Sequence, residues 1–276
     1  MKALVTGASG FIGTNLYNKL KQQGYTIVGV DPINNKIISI HSVNTAQNYL
    51  DKLHWTPDVI FHLGAYVDVP ESFEKPNEYF DNNINSTLAV LEFARRQNCK
   101  VIYAGSASKH TNQYASPYAS SKYIGEELCK TYKTCYDMDI EIARFYNVYG
   151  PGEHLRLENT GVIGIWRYNI SNQIACAIVG DGEQRRDFIH VDDITDALIT
   201  IYESVSSHND AWEIGTGITT SINELADMFQ THLKAEFISV DDINKTPRLS
   251  HQINNDLYER IGWKAKHKLV DYISSL

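Results

Sequence analysis

Residues 2–13 read K-A-L-V-T-G-A-S-G-F-I-G: a short apolar run ending at Thr6 breaks into glycines at Gly7, Gly10 and Gly13 as a segment of helical period begins. Glycine serves where a turn is tight, where backbone must approach a pyrophosphate, and where a helix packs closely on a strand. The start of the helix then offers free N–H groups to phosphate. A glycine string alone is a weak signal, but a second apolar run at 26–30 ends in Asp31, 18 residues beyond Gly13. A carboxylate there can accept both ribose hydroxyls of NAD and would repel the extra phosphate of NADP. The alternative role for Asp31 is a turn residue ahead of Pro32, and no arginine follows closely to capture a phosphate.

Outward from this turn, strand-like runs at 3–6, 26–30, 37–40, 59–63, 101–103 and 140–145 alternate with helical periods at 11–23, 45–53, 77–97 and 116–136. That alternation predicts right-handed βαβ crossovers and a doubly wound parallel sheet, an α/β fold. After about residue 146 the regularity fades, with a strand-like 175–179 and helices expected at 192–203 and 222–233. The expectation is a dinucleotide-binding domain of residues 1–146 plus a returning segment at about 181–215, and a small C-terminal α/β subdomain of about 147–180 and 216–276.

The 276 residues carry 33 acidic and 25 basic side chains, a net charge of −8, which argues against nonspecific binding of a nucleic-acid polymer. No apolar run approaches the roughly 20 residues that span a bilayer, and the chain opens on a strand, so neither a membrane nor a leader is expected and the cytosol is the predicted compartment. Cys99, Cys129, Cys135 and Cys176 lack zinc spacing and read as reduced, buried thiols; no metal site is expected.

Tyr118 and Lys122 lie four apart in Y-A-S-S-K, on one face of a predicted helix, after a short loop holding Ser106 and Ser108. The loop follows the fifth strand, where an open α/β sheet has its ligand crevice. A free phenol ionises near pH 10, about 3 pH units too high for a base at neutrality. An ammonium about 6 Å away, at an effective dielectric near 20, supplies roughly 2.8 kcal/mol, about two thirds of that depression. The rest is assigned to the positive nicotinamide ring of NAD. Ser106 could bond the sugar oxygen as charge shifts; it could equally cap a turn.

With these residues in view the chain resembles the extended short-chain dehydrogenase/reductases, in particular the NAD-dependent epimerase/dehydratase family and its UDP-galactose 4-epimerase-like members. The resemblance rests on the glycine turn, H-L-G-A at 62–65, D-N-N-I-N-S-T at 81–87, G-S-A-S at 105–108, Y-A-S-S-K, R-F-Y-N-V-Y-G-P at 144–151 and G-D-G-E-Q-R-R-D-F-I-H-V-D-D at 180–193. It implies a Rossmann-type fold with Phe11 and Ile12 beside the pyrophosphate, and Leu63, Gly64, Ala65 and Tyr66 along the cofactor. Asn85 matches the family's helix asparagine near the cofactor. Tyr118 is implied as the base, Lys122 as its partner on the nicotinamide ribose, and Ser106 as an assistant. Ser108, Asn147, Arg186 and, less closely, Arg248 are implied to bind a nucleotide-diphosphate sugar. A homodimer built on helices 77–97 and 116–136 is also implied.

Two departures sharpen the expectation. The dehydratase branch has an Asp-Glu pair just after its Ser or Thr, where this chain has Ala107, Ser108 and Lys109. The 3,5-epimerase branch needs a Cys and His pair; His110 is nearby, without the cysteine. The leading expectation is thus an NAD-dependent nucleotide-sugar epimerase acting at carbon 4, with a 4-keto-sugar reductase or dehydratase as alternative and a nonenzymatic dinucleotide sensor as the more distant rival. Residues 152–174, including His154, Arg156, Trp166 and Arg167, are expected to shape the sugar pocket.

Overall fold

Runs rich in valine, isoleucine and tyrosine form the strands, and helices begin where a cap or proline permits. The computed structural model describes residues 1–31, 50, 55–153, 161–242 and 248–276. The expected strand at 37–40, nearly all of the expected helix at 45–53, and His154 and Arg156 lie outside the described residues.

The first part of the chain runs β1 (Lys2–Thr6), α1 (Phe11–Gln22), β2 (Thr26–Val30), β3 (Val59–His62), α2 (Val69–Glu74), α3 (Pro76–Gln97), β4 (Lys100–Ser106), α4 (Ser108–Asn112), α5 (Pro117–Tyr136) and β5 (Ile140–Phe145). Proline opens α3 and α5, where its missing N–H costs nothing, and the Ser116 hydroxyl caps α5 by accepting the Ala119 amide at 3.1 Å. Both helices end on a residue in the left-handed region, Asn98 and Asp137.

The main sheet has the order β2-β1-β3-β4-β5-β9, where β9 is Trp212–Ile214, and β1 pairs in parallel with β2 and β3, as β3 does with β4. The chain steps from β1 to β2 on one side, then returns to place β3 on the other. That reversal opens a crevice beyond the carboxyl ends of β1 and β3. Leu4, Ile60 and Val101 of the sheet pack with Ala89, Val90 and Phe93 of α3 and Cys129 of α5, all buried. The sheet face is apolar because helices cover it.

The chain divides into two compact units, Met1–Arg144 with Thr195–Trp212, and Phe145–Ile194 with Glu213–Leu276. The returning segment begins at Thr195, later than the expected 181, because β8 (Arg185–His190) belongs to the second unit's sheet. In that sheet β8 pairs with β6 (Asn147–Tyr149), β10 (Thr219–Ser221) and β12 (Leu249–Ser250). A further two-stranded parallel sheet joins β7 (Cys176–Val179) to β11 (Phe237–Val240). The second unit's helices are α6 (Val162–Ser171), α8 (Ile222–Leu233), α9 (Asp256–Ile261) and α10 (Leu269–Ser274), whereas α7 (Val191–Glu203) leads back into the first unit.

Three sequence expectations are corrected here. Cys135 is exposed on the last turn of α5, while Cys99, Cys129 and Cys176 are buried; all four are free. Trp166 lines no sugar pocket: it is 1% exposed, wedged against Phe229 and Phe237 at ring distances of 5.4 and 4.8 Å. Arg167 likewise turns to the Tyr272 hydroxyl at 2.8 Å. Among the described residues no helix is long and apolar enough to cross a membrane.

Candidate active site

The glycine turn sits at the crevice and touches the loop after β3. Gly7 has φ +69°, and a Cβ there would lie 2.8 Å from the Gly64 Cα; a Cβ on Gly13 would lie 2.0 Å from the Gly7 carbonyl oxygen. Both positions must be glycine for the two loops and α1 to close on each other. Gly10 caps α1 with no side chain, so the first-turn amides of Phe11, Ile12 and Gly13 face no capping oxygen. An uncapped helix start beside a side-chain-free turn is what a pyrophosphate needs, so the residues present fit NAD. Asp31 directly follows β2, nearly buried, its Oδ2 accepting the Ser9 amide at 2.9 Å. Leu63, Gly64 and Ala65 follow β3 half-exposed along the same edge.

Behind that loop a buried relay fixes the geometry. The Gly64 amide donates to Thr6 Oγ1 at 3.0 Å, and Thr6 Oγ1 meets His62 Nδ1 at 2.7 Å. On the other side His62 Nε2 meets Thr87 Oγ1 at 3.1 Å, and Thr87 donates to the Asn83 carbonyl at 2.7 Å. Each hydroxyl has one proton, so the chain of donors assigns the His62 proton to Nε2. Burial, with the Lys122 charge nearby, pushes the imidazole down to about 3, so it stays neutral.

Helix α5 carries the Tyr118 and Lys122 pair. Tyr118 stands half-buried in its first turn and Lys122, 5% exposed, one turn on. Ser106 Oγ accepts from the Ser108 hydroxyl at 2.9 Å and from the Ser108 amide at 3.3 Å. Its own proton is thereby left for the Tyr118 phenol, which it draws downward. Burial outweighs that pull, and the phenol lies above its ordinary value. The share of the depression expected from Lys122 does not lower the phenol here, and burial also lowers Lys122 itself, to about 8, with Glu126 opposing.

Asn83 is the helix asparagine that reaches the cofactor-side loop, and sequence reasoning missed it. Its amide accepts the Tyr66 N–H at 2.8 Å and donates to the Tyr66 carbonyl at 3.0 Å and to Ser121 Oγ at 2.8 Å. Asn85, two residues on, is half-exposed and two residues' turn away from that face. Lys109, at the dehydratase acid region, turns instead to Glu126 at 3.4 Å and Asp210 at 3.6 Å.

In the second unit, Asn147 donates to the Asp187 carbonyl at 3.0 Å. Arg185 forks onto Glu224 and Arg248 onto Asp181, at 2.8 Å in each case. Arg186 lies between these pairs, half-buried, with its guanidinium on the Arg185 carbonyl at 2.8 Å, and burial lowers its pKa. His190, Asp192 and His267 cluster closely enough to hold a metal. Yet the imidazoles stack at 4.3 Å and His190 Nδ1 accepts the Asp192 amide at 3.2 Å, so their in-plane lone pairs do not converge.

The NAD dependent epimerase/dehydratase family matches residues 3–215. The chain belongs to that family. This epimerase/dehydratase is 28% identical to the UDP-glucose 4-epimerase of Mycolicibacterium smegmatis, over 99% of this chain and 96% of that one. It is 24% identical to human dTDP-D-glucose 4,6-dehydratase, over 96% of its own length and 85% of the relative. The crystal structure of Thermotoga maritima UDP-glucose 4-epimerase with UDP-glucose aligns with a TM-score of 0.89 at 26% identity, covering 99% of this chain and 96% of that one. Members of this family are NAD-dependent, and the epimerase/dehydratase fold here carries the turn and the Tyr-Lys helix on which such chemistry is built.

Proposed function

We propose that the protein is an NAD-dependent nucleotide-sugar epimerase acting at carbon 4 of the sugar. One observation carries the reading: Tyr118 faces a Ser106 hydroxyl whose acceptor sites are already filled by Ser108, with Lys122 one helical turn away. NAD, when bound, supplies an acceptor that takes up hydride and gives it back. Gly7, Gly10, Phe11, Ile12 and Gly13 hold its pyrophosphate, Asp31 its adenosine ribose, and Leu63, Gly64 and Ala65 lie along it, with Asn83 in place of Asn85 fixing the Tyr66 end of that loop.

Tyr118 takes the proton from the 4-hydroxyl and returns it after the 4-keto sugar has turned over in the pocket. Ser106 donates to the oxygen that gains charge, and Lys122 holds the nicotinamide ribose while favouring the phenolate. Ser108 and Asn147 bind substrate. Arg186 grips the diphosphate, because among the described residues its guanidinium bonds a backbone carbonyl and feels Asp242 only through space, and Arg248 is the second contact once it leaves Asp181. Ala107 and Ser108 put no carboxyl acid beside the sugar, and Lys109 is turned to its own anions, so epimerisation is favoured over dehydration. The chain forms a homodimer through α3 and α5, and its four free thiols fit the reducing cytosol.

Incubation of purified protein with UDP-galactose, UDP-GlcNAc and their GDP, ADP and dTDP counterparts should yield the 4-epimer of at least one. Tyr118→Phe should slow that turnover by about 10²–10⁴-fold. Full activity in Tyr118→Phe would remove the assigned base, and stoichiometric consumption of reduced nicotinamide would make the protein a reductase.

A further inference from the structure

Lys122 has to remain an ammonium while almost entirely shut off from water, at 5% exposure. Among the described residues no carboxylate or carbonyl stands within bonding distance of its Nζ. The groups that face it are few. From its own helix come Tyr118, neutral, and the Cys129 thiol, which burial pushes far up and so keeps neutral. From β3 comes His62, neutral as derived above. Glu126 is the one anion, and its carboxylate is shared among Arg144 at 2.7–3.1 Å, Lys109 at 3.4 Å and the Ser106 amide at 3.4 Å.

What remains is the ring of Tyr103 on β4, whose centroid lies 4.4 Å from Nζ. That ring is 1% exposed and held in place from above: its hydroxyl meets the Lys122 carbonyl at 3.4 Å, and a Cβ on Gly125 would fall 2.1 Å from it. Glycine at 125 is thus what lets an aromatic ring lie under the turn of α5 that carries the lysine. A cation over a desolvated aromatic face is stabilised by the ring quadrupole without hydrogen bonds.

We propose that the Tyr103 ring is a cation–π platform, a positioning residue that keeps Lys122 protonated and aimed at the cofactor side of the crevice. This rests on the roles given to Tyr118 and Lys122 above. The platform supplies what a carboxylate could not without cost: a carboxylate bonded to Nζ would draw the lysine away from the ribose and offset the charge that favours the phenolate. The tyrosine hydroxyl is not needed for this, only the face of the ring.

The test titrates the lysine itself. Full-length protein carrying lysine labelled with carbon-13 at the ε position is followed by NMR against pH, and the Lys122 signal is the one lost in Lys122→Met. Tyr103→Phe should leave the midpoint where it is in the parent protein. Phenylalanines with one, two and three ring fluorines at position 103 keep the shape and drain the face of negative charge. They should lower the midpoint step by step, by on the order of 1 pH unit for three fluorines. Tyr103→Leu should move the alkaline limb of turnover down by a similar amount, with Phe restoring it. A midpoint indifferent to fluorination would overturn the platform even in a fully folded, active protein. Loss of turnover in Tyr118→Phe beside an indifferent midpoint would leave the epimerase reading standing alone; a fluorine-dependent midpoint in a protein without turnover would do the reverse.

Discussion

At the scale of single residues the site is a set of protons with assigned places. His62 is the clearest case, a fully buried imidazole clamped between two threonines, with an acceptor on one nitrogen and a donor on the other. Its folded pKa of about 3 lies below the ordinary 6.5, so below pH 6.5 the unfolded chain binds a proton that the folded one refuses. Stability from this group is present above pH 6.5 and is lost as pH falls towards 3. At pH 4.5 the loss amounts to roughly 3 kcal/mol. Urea unfolding at pH 7 and pH 4.5 reads it, and His62→Asn, which cannot titrate there, should flatten the difference. Tyr118 and Lys122 were legible from their spacing together with their place after the loop holding Ser106 and Ser108: a helix puts residues four apart on one face, and an open sheet has its crevice there. Asn83 was not: three asparagines stand at 82, 83 and 85, and only the contacts of α3 with the loop at Tyr66 and with Ser121 select one.

Among the elements, the glycine turn and α1 act as one unit. Gly13→Ala places a methyl 2.0 Å from a backbone oxygen that has no side chain to move aside. The helix must slide off β1, at a cost of about 1–3 kcal/mol. A lowered melting temperature together with weakened binding of added NAD is the expected outcome; an unchanged melt with full NAD affinity would show that the turn adapts. The long elements of the first 145 residues announce themselves by period, since α3 and α5 run 22 and 20 residues and average out local noise. In the second unit the helix at 222–233 and the strand at 176–179 are legible in the same way, but strands β6, β10 and β12 are two or three residues long, and such pieces have no alternation to read.

For the whole molecule, the decisive event is the return of 195–212 to the first unit. Buried ions fasten it. Glu141 on β5 has no exposed surface and accepts from Ser207 Oγ at 2.6 Å, the His208 amide at 2.9 Å and Trp212 Nε1 at 2.6 Å. Lys133 of α5 supplies the opposing charge at 3.0 Å and bonds Ser207 and the His208 carbonyl as well. Lys133→Met leaves a buried carboxylate uncompensated and should cost about 3 kcal/mol in denaturant unfolding. Adding Glu141→Gln should restore part of it, a coupling that independent sites would not give.

The order of glycines, the acid after the second strand and the Tyr-Lys spacing are local statements, and a linear chain states them completely. They define a parallel α/β sheet, which the six-stranded sheet bears out, and they single out the glycine turn and the Tyr118–Lys122 pair as candidates for cofactor and chemistry. Which asparagine faces the loop, that a tyrosine ring underlies the lysine, and that burial raises the phenol instead of leaving it acidic depend on residues 17 to 38 positions apart being brought into contact. Desolvation and cation–π attraction act through space and vanish with distance, so no order of letters carries them until the strands and helices have packed.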